Sequence, residues 1–217
     1  MTEGNHEVAG NPTPVEPPSG KHVCVYLGGN LGRERRYIDE ATALGCLMAD
    51  EGVGLVYGGA RVGLMGVLAG AVLSNGGCVT GVVPRQLSYQ ELAHDGLSRL
   101  VEVDTMHQRK HLMQTLAQGC IALPGGFGTL EEMLEALCWS QRPLELHEKP
   151  CCFANIDGYY DQLFGFLDHA VANGLLLPQN RALARQAPTA TGALRAIQAA
   201  WEEEELAMRR IIENYKL

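Results

Sequence analysis

Between Lys21 and about residue 174 the chain repeats one pattern: a short, largely apolar run, then a loop that is glycine-rich after three of the runs, then a longer stretch with apolar residues at helical spacing. The apolar runs are HVCVYL (22 to 27), GLVY (54 to 57), CVTGVV (78 to 83), LVEV (100 to 103), CIALP (120 to 124) and CCFANI (151 to 156). They do not alternate with polar residues, so they suit strands covered on both faces, the situation of a parallel sheet. Helical segments at about 35 to 51, 62 to 76, 105 to 118, 129 to 141 and 159 to 173 are long enough to serve as right-handed crossovers. The pattern predicts an α/β fold: a doubly wound parallel sheet flanked by helices.

The two ends differ from this core. Residues 1 to 20 carry Pro12, Pro14, Pro17 and Pro18 among small and polar residues, too little apolar surface to repay ordering, and are expected to be a disordered tail. A further helix is expected near 189 to 201. The segment EEEELAMRRIIENYKL after it reads as a charged helical extension, with glutamates ahead of arginines as i,i+4 pairing and the helix dipole favour. The expected organisation is one catalytic domain over 21 to 201 with an extension over 202 to 217.

Composition narrows the class. At 217 residues, 46% hydrophobic and 19% charged, the chain can bury a core without disulfides or a structural metal. No apolar run reaches the roughly 18 residues of a membrane span, and the opening MTEGNHEVAG has neither the basic nor the apolar part of a secretory signal. The expected location is cytoplasmic. None of the seven cysteines belongs to a C-x-x-C pair. Cys24, Cys78 and Cys120 fall in or beside apolar runs and are expected as small buried hydrophobes. The formal charge of −8 disfavours nucleic-acid backbones, which bind clustered cations. One small anion, held by a helix end or a single arginine, remains compatible with it.

In open parallel sheets ligands bind at the carboxyl ends of strands. There the sequence places Gly28-Gly29, Gly58-Gly59 with Gly63 and Gly66, and Gly125-Gly126 with Gly128. Gly58 and Gly63 have P-loop spacing, but Leu64 and Met65 stand where the lysine and hydroxyl would be, which removes that route to ATP hydrolysis. PGGFGTLEE (124 to 132) brings strand end, glycine loop, helix start and two carboxylates together. Its glycines can offer backbone N–H groups to a phosphate, with Thr129 expected at the N-cap and Glu131 and Glu132 in the first turn. A capping box between Thr129 and Glu132 would explain both residues without chemistry.

MHQRKH (106 to 111) opens the preceding helix. His107 and His111 have i,i+4 spacing, but Gln108 stands where a zinc protease carries its glutamate, and no metal is expected. Arg109 and Lys110 near a helix start oppose the dipole at a cost of about a few tenths of a kcal/mol, which favours an anionic ligand there.

These residues resemble the Lonely-guy family of cytokinin-activating phosphoribohydrolases, formerly often labelled lysine decarboxylases. The likeness runs from about Val23 to Gly174 through VYGGARVGLMG (56 to 66), MHQRK (106 to 110), ALPGGFGTLEE (122 to 132) and NIDGYYDQLFGFLD (155 to 168), in family order. The first loop, LGGN, stands where relatives usually show a C-G-S-S-like turn, and SQRPLELHEKP after Trp139 is longer than usual. The resemblance implies a Rossmann-like homodimer that hydrolyses the N-glycosidic bond of N6-modified adenosine monophosphates, such as an isopentenyl form, and of AMP. It implies Arg109 and Glu132 as catalytic residues. Glu91, Lys110, Thr129, Glu131 and the run Gly125, Gly126, Phe127, Gly128 become substrate-binding, and Gly58, Gly59 and Met106, in the matching motifs, complete that set. Breaking the C1'–N bond builds positive charge on the ribose, which a carboxylate such as Glu132 stabilises while it positions or deprotonates water. Arg109 stays protonated at neutral pH, so its expected work is to hold phosphate or ribose and to orient Glu132. The chemistry requires no metal or organic cofactor, and neither a nucleic-acid polymer nor a membrane is an expected partner.

Other readings stay open. A pyridoxal-phosphate decarboxylase needs a Schiff-base lysine, and of Lys21, Lys110, Lys149 and Lys216 only Lys110 lies in a motif. A non-catalytic nucleotide-binding module would use the same glycine loops, but gains little from a carboxylate beside a phosphate. A broader nucleoside-monophosphate nucleosidase fits the residues as well as a cytokinin enzyme does.

Overall fold

The computed structural model describes residues 19–85, 94, 96–141 and 149–214. Residues 1–18 of the expected tail, Glu91, and 142–148 of the longer segment after Trp139 lie outside the described residues.

Among the described residues, β1 (His22–Tyr26), β2 (Gly54–Tyr57), β3 (Val79–Pro84), β4 (Arg99–Val103), β5 (Gly119–Ala122), β6 (Cys151–Ala154) and β7 (Ala184–Ala187) form one sheet. Its order is β4-β3-β2-β1-β5-β6-β7 and every pairing is parallel. Strand order reverses at the β1–β5 pair, where Cys24 lies opposite Cys120 and Tyr26 opposite Ala122. A crevice opens at such a switch point because the crossovers on its two sides leave for opposite faces.

Among the described residues the α-helices are α1 (Arg35–Asp50), α2 (Gly63–Ser74), α3 (Met106–Leu116), α4 (Phe127–Ser140), α5 (Asp161–Ala172), α6 (Pro178–Leu183) and α7 (Ala190–Asn214). Successive strand residues point to opposite faces, so every strand except β4 feeds two cores. Val23 and Val25 pack with Leu44, Leu68 and Leu194 from α1, α2 and α7. Cys24 and Tyr26 pack with Met113, Met133 and Phe164 from α3, α4 and α5. The sheet is doubly wound, as the apolar pattern predicts.

Four details depart from that pattern. Cys78 precedes β3 and is exposed, not buried, because the strand begins at Val79. β4 is only half-buried, as the outermost strand of the sheet. β7 escapes the pattern because Arg185 and Gln186 point outward at the opposite edge and only Ala184 and Ala187 are buried. The expected helix after residue 189 and the charged segment form one helix: α7 buries Leu194, Ile197 and Trp201, exposes residues 202–213 and runs to Asn214. Trp201 Nε1 donates to Gln118 O at 2.8 Å, tying this helix to the start of β5.

Candidate active site

A cleft of about 500 Å³ opens at the switch point between the loop after β1 and the loop after β5. The loops are joined directly: Gly28 N donates to Pro124 O at 3.2 Å. The amino end of α2 closes against them, where Gly63 has φ +59° and a side chain would overlap the backbone of Gly29. Gly28, Asn30, Gly125, Gly126 and Gly128 form the polar wall; Tyr37, Leu64, Met65 and Tyr159 form the apolar one.

At the start of α3, Thr105 Oγ1 accepts from Gln108 N at 3.2 Å while Gln108 Oε1 accepts from Thr105 N at 3.2 Å. Gln108 thus serves the helix cap. Arg109 lies on the next turn and crosses the carboxyl ends of β2 and β3, donating from Nε to Val82 O at 3.1 Å and from Nη2 to Gly58 O at 3.4 Å. A side chain at Gly58 would overlap Nη2, so the close approach requires glycine. The remaining nitrogen, Nη1, stands 3.4 Å from Glu132 Oε1, and the two side chains are only 14% and 12% exposed. Burial pushes the Glu132 carboxyl up to about 7, against the opposing pull of the Arg109 charge.

α4 begins at Phe127 with Gly126 as its N-cap, and no side chain caps it. Thr129 is therefore not the N-cap; it sits inside the first turn, buried. Glu131 and Glu132 fall in the second turn rather than the first. The capping box between Thr129 and Glu132 is absent, because the glycines let the chain enter the helix earlier than Thr129. Four backbone N–H groups at a helix start have no partner within the helix, and here they border a cleft.

The structure brings Arg109, Glu132, Gly125, Gly126, Gly128 and Thr129 together around the cleft. Gly58 contributes through its carbonyl, and Gly59, buried with φ +78°, lets the strand end pack on Val83. Lys110 and Glu131 bond each other, with Glu135 at 3.2 Å from the same ammonium; they do not line the cleft. Met106 and Phe127 are exposed nearby, Phe127 at 94%. Tyr37, Met65 and Tyr159 are cleft residues that the motifs did not single out. Tyr37 lies in the first turn of α1, Met65 in the first turn of α2 and Tyr159 in the turn between β6 and α5, and nothing in their spacing marks them as facing a cleft.

The chain matches the protein-family model described as possible lysine decarboxylase over residues 65–197. It is 45% identical over 181 residues to the cytokinin riboside 5'-monophosphate phosphoribohydrolase of Rhodococcoides fascians, covering 83% of this chain and 90% of that protein. It is 42% identical over 170 residues to the enzyme of that name, LOG, from Oryza sativa subsp. japonica, covering 78% of this chain and 69% of that protein. Among solved structures, the Moco carrier protein from Chlamydomonas reinhardtii matches with TM-score 0.64 at 20% identity, covering 84% of this chain and 98% of that one, a likeness of fold. With the motifs in order along the sheet and relatives this similar over most of its length, the chain belongs to the Lonely-guy family.

Proposed function

We propose that the protein is a phosphoribohydrolase that cleaves the N-glycosidic bond of N6-modified adenosine 5'-monophosphates, and of AMP, to give the free base and ribose 5-phosphate. The observation that carries the reading is the Arg109–Glu132 pair, largely but not fully buried at the switch-point cleft beside an uncapped helix start. The helix start suits the 5'-phosphate, since its free N–H groups and dipole favour an anion. The wall of Tyr37, Leu64, Met65 and Tyr159 suits an aromatic base and its apolar substituent. The volume lies within the range of roughly 300–1,000 Å³ usual for small-molecule sites.

As the C1'–N bond breaks, the ionised Glu132 stabilises the developing ribosyl cation and takes a proton from the attacking water. Arg109 keeps that carboxylate in place and, by its charge, favours the ionised form. Its fork, fixed at the ends of β2 and β3, leaves little freedom of orientation. Two relatives are named cytokinin riboside 5'-monophosphate phosphoribohydrolases, which supports the reading for the N6-modified substrates.

The proposal includes a cytoplasmic homodimer. Its support is the exposed apolar surface of α4 and its neighbour α3, where Phe127, Leu134 and Met106 face outward. Among the described residues no helix is long and apolar enough to cross a membrane. The test of the activity is chromatography of products from isopentenyl-AMP, AMP, GMP and the isopentenyl riboside. Free base from the first two and none from the riboside is the expected result, and the rate ratio between the first two decides between cytokinin activation and nucleotide salvage. Release from the riboside at an equal rate, or from no substrate, contradicts it.

A further inference from the structure

Two consecutive tyrosines tie the turn between β6 and α5 to the end of β5. Tyr160 Oη donates to Leu123 O at 2.6 Å, and Tyr159 Oη donates to Gly125 O at 2.8 Å. Tyr160 is buried edge-on against Phe153. Tyr159 stands at the cleft wall, edge-on to Tyr37 with ring centroids 5.8 Å apart. The turn that presents them is firmly held. Asn155 Oδ1 accepts from Tyr160 N at 2.7 Å, and its Nδ2 donates to Asp161 at 2.7 Å and to Gln186 at 2.9 Å. Asp157, at φ +51°, pairs with Arg36 at 3.2 Å.

The acceptor of the Tyr159 bond matters most. The peptide between Gly125 and Gly126 is trans, so its C=O and N–H point in opposite directions. A hydroxyl that holds the Gly125 carbonyl on the Tyr159 side turns the Gly126 N–H away from Tyr159. Gly126 is also the N-cap of α4, where no side chain takes that role. Two adjacent glycines have wide conformational freedom, and neither has a side chain to fix the peptide plane.

We propose that Tyr159 is a positioning residue whose hydroxyl holds the Gly125–Gly126 peptide in the orientation that accepts the substrate's 5'-phosphate. It acts through the loop and not on the reacting atoms. The inference rests on the nucleotide-hydrolase reading, and its test separates the two.

Tyr159→Phe keeps the ring and removes one oxygen. The KM for AMP rises about tenfold, the loss expected for one hydrogen bond that preorganises a charged ligand's site, while kcat stays within about twofold. The inhibition constant of ribose 5-phosphate rises by the same factor and that of free adenine does not change. A hydroxyl that only stabilises the fold would lower the melting temperature and leave these constants alone. Unchanged KM and inhibition constant overturn the inference, as does a loss confined to kcat. If the native enzyme releases no base, the function fails first, and a titration with inorganic phosphate then decides the inference. Weaker phosphate binding by Tyr159→Phe, with the Gly126 amide resonance of the native protein shifting on titration, supports it; equal binding or an unmoved Gly126 amide overturns it.

Discussion

Arg109 Nη1 lies 3.4 Å from Glu132 Oε1, and the two residues come from the helices that precede and follow β5 in the chain and share one face of the sheet. Burial destabilises the charged form of the carboxylate while the guanidinium stabilises it; burial dominates, and the Glu132 carboxyl sits at about 7. A group in that position changes charge within the working range of a neutral-pH enzyme.

The first expected outcome is a pH profile. If ionised Glu132 is the working form, log kcat/KM rises with pH up to about 7 and then levels. Arg109→Met removes the opposing charge, so the midpoint moves upward, beyond the loss of rate. A profile flat between the usual glutamate range and neutrality would remove Glu132 from the rate-limiting step.

Stability gives a second readout. A carboxyl whose folded pKa is raised from 4.5 to about 7 favours folding below the unfolded value and loses that contribution as pH rises through the folded one. Glu132→Gln, neutral throughout, should therefore match the native protein below about pH 4.5 and exceed it above about pH 7. The gap should be on the order of 3 kcal/mol. Urea unfolding of both proteins across that window measures it; a gap that does not grow with pH contradicts the assignment.

Gly58→Ala tests the path of the arginine. The added methyl would occupy the position of Arg109 Nη2 and displace it from the Gly58 and Val82 carbonyls. kcat/KM should fall about 100-fold, in line with a misplaced catalytic group, while circular dichroism stays native. Near-native activity would show that this route does not matter.

Much of the fold was legible because an apolar run marked each inner strand, and at β1, β2 and β5 a second signal agreed with it, glycine at the strand's end. ARQA at 184–187 lacked the first signal, since an edge strand buries only one residue in two there, and β7 was missed with it. The site was legible where chemistry-bearing residues were consecutive, as in PGGFGTLEE. Its helix boundary was not, because a glycine N-cap leaves no side-chain mark, and Thr129 looked like a cap while lying inside the helix. Tyr37 and Tyr159 meet only in three dimensions, and an aromatic residue near a helix start gives no indication in sequence that it faces a cleft. Lys110 shows the opposite difficulty: its motif marks it as a cation near the site, but motif position alone does not say that it bonds Glu131 and Glu135.

The most direct measurement compares the native protein with Glu132→Gln on isopentenyl-AMP, following free isopentenyladenine by chromatography and ligand binding by calorimetry. The account predicts steady base release by the native enzyme, a fall of about 1,000-fold or more in the variant, and binding retained within about tenfold. Base release by Glu132→Gln at the native rate would contradict it.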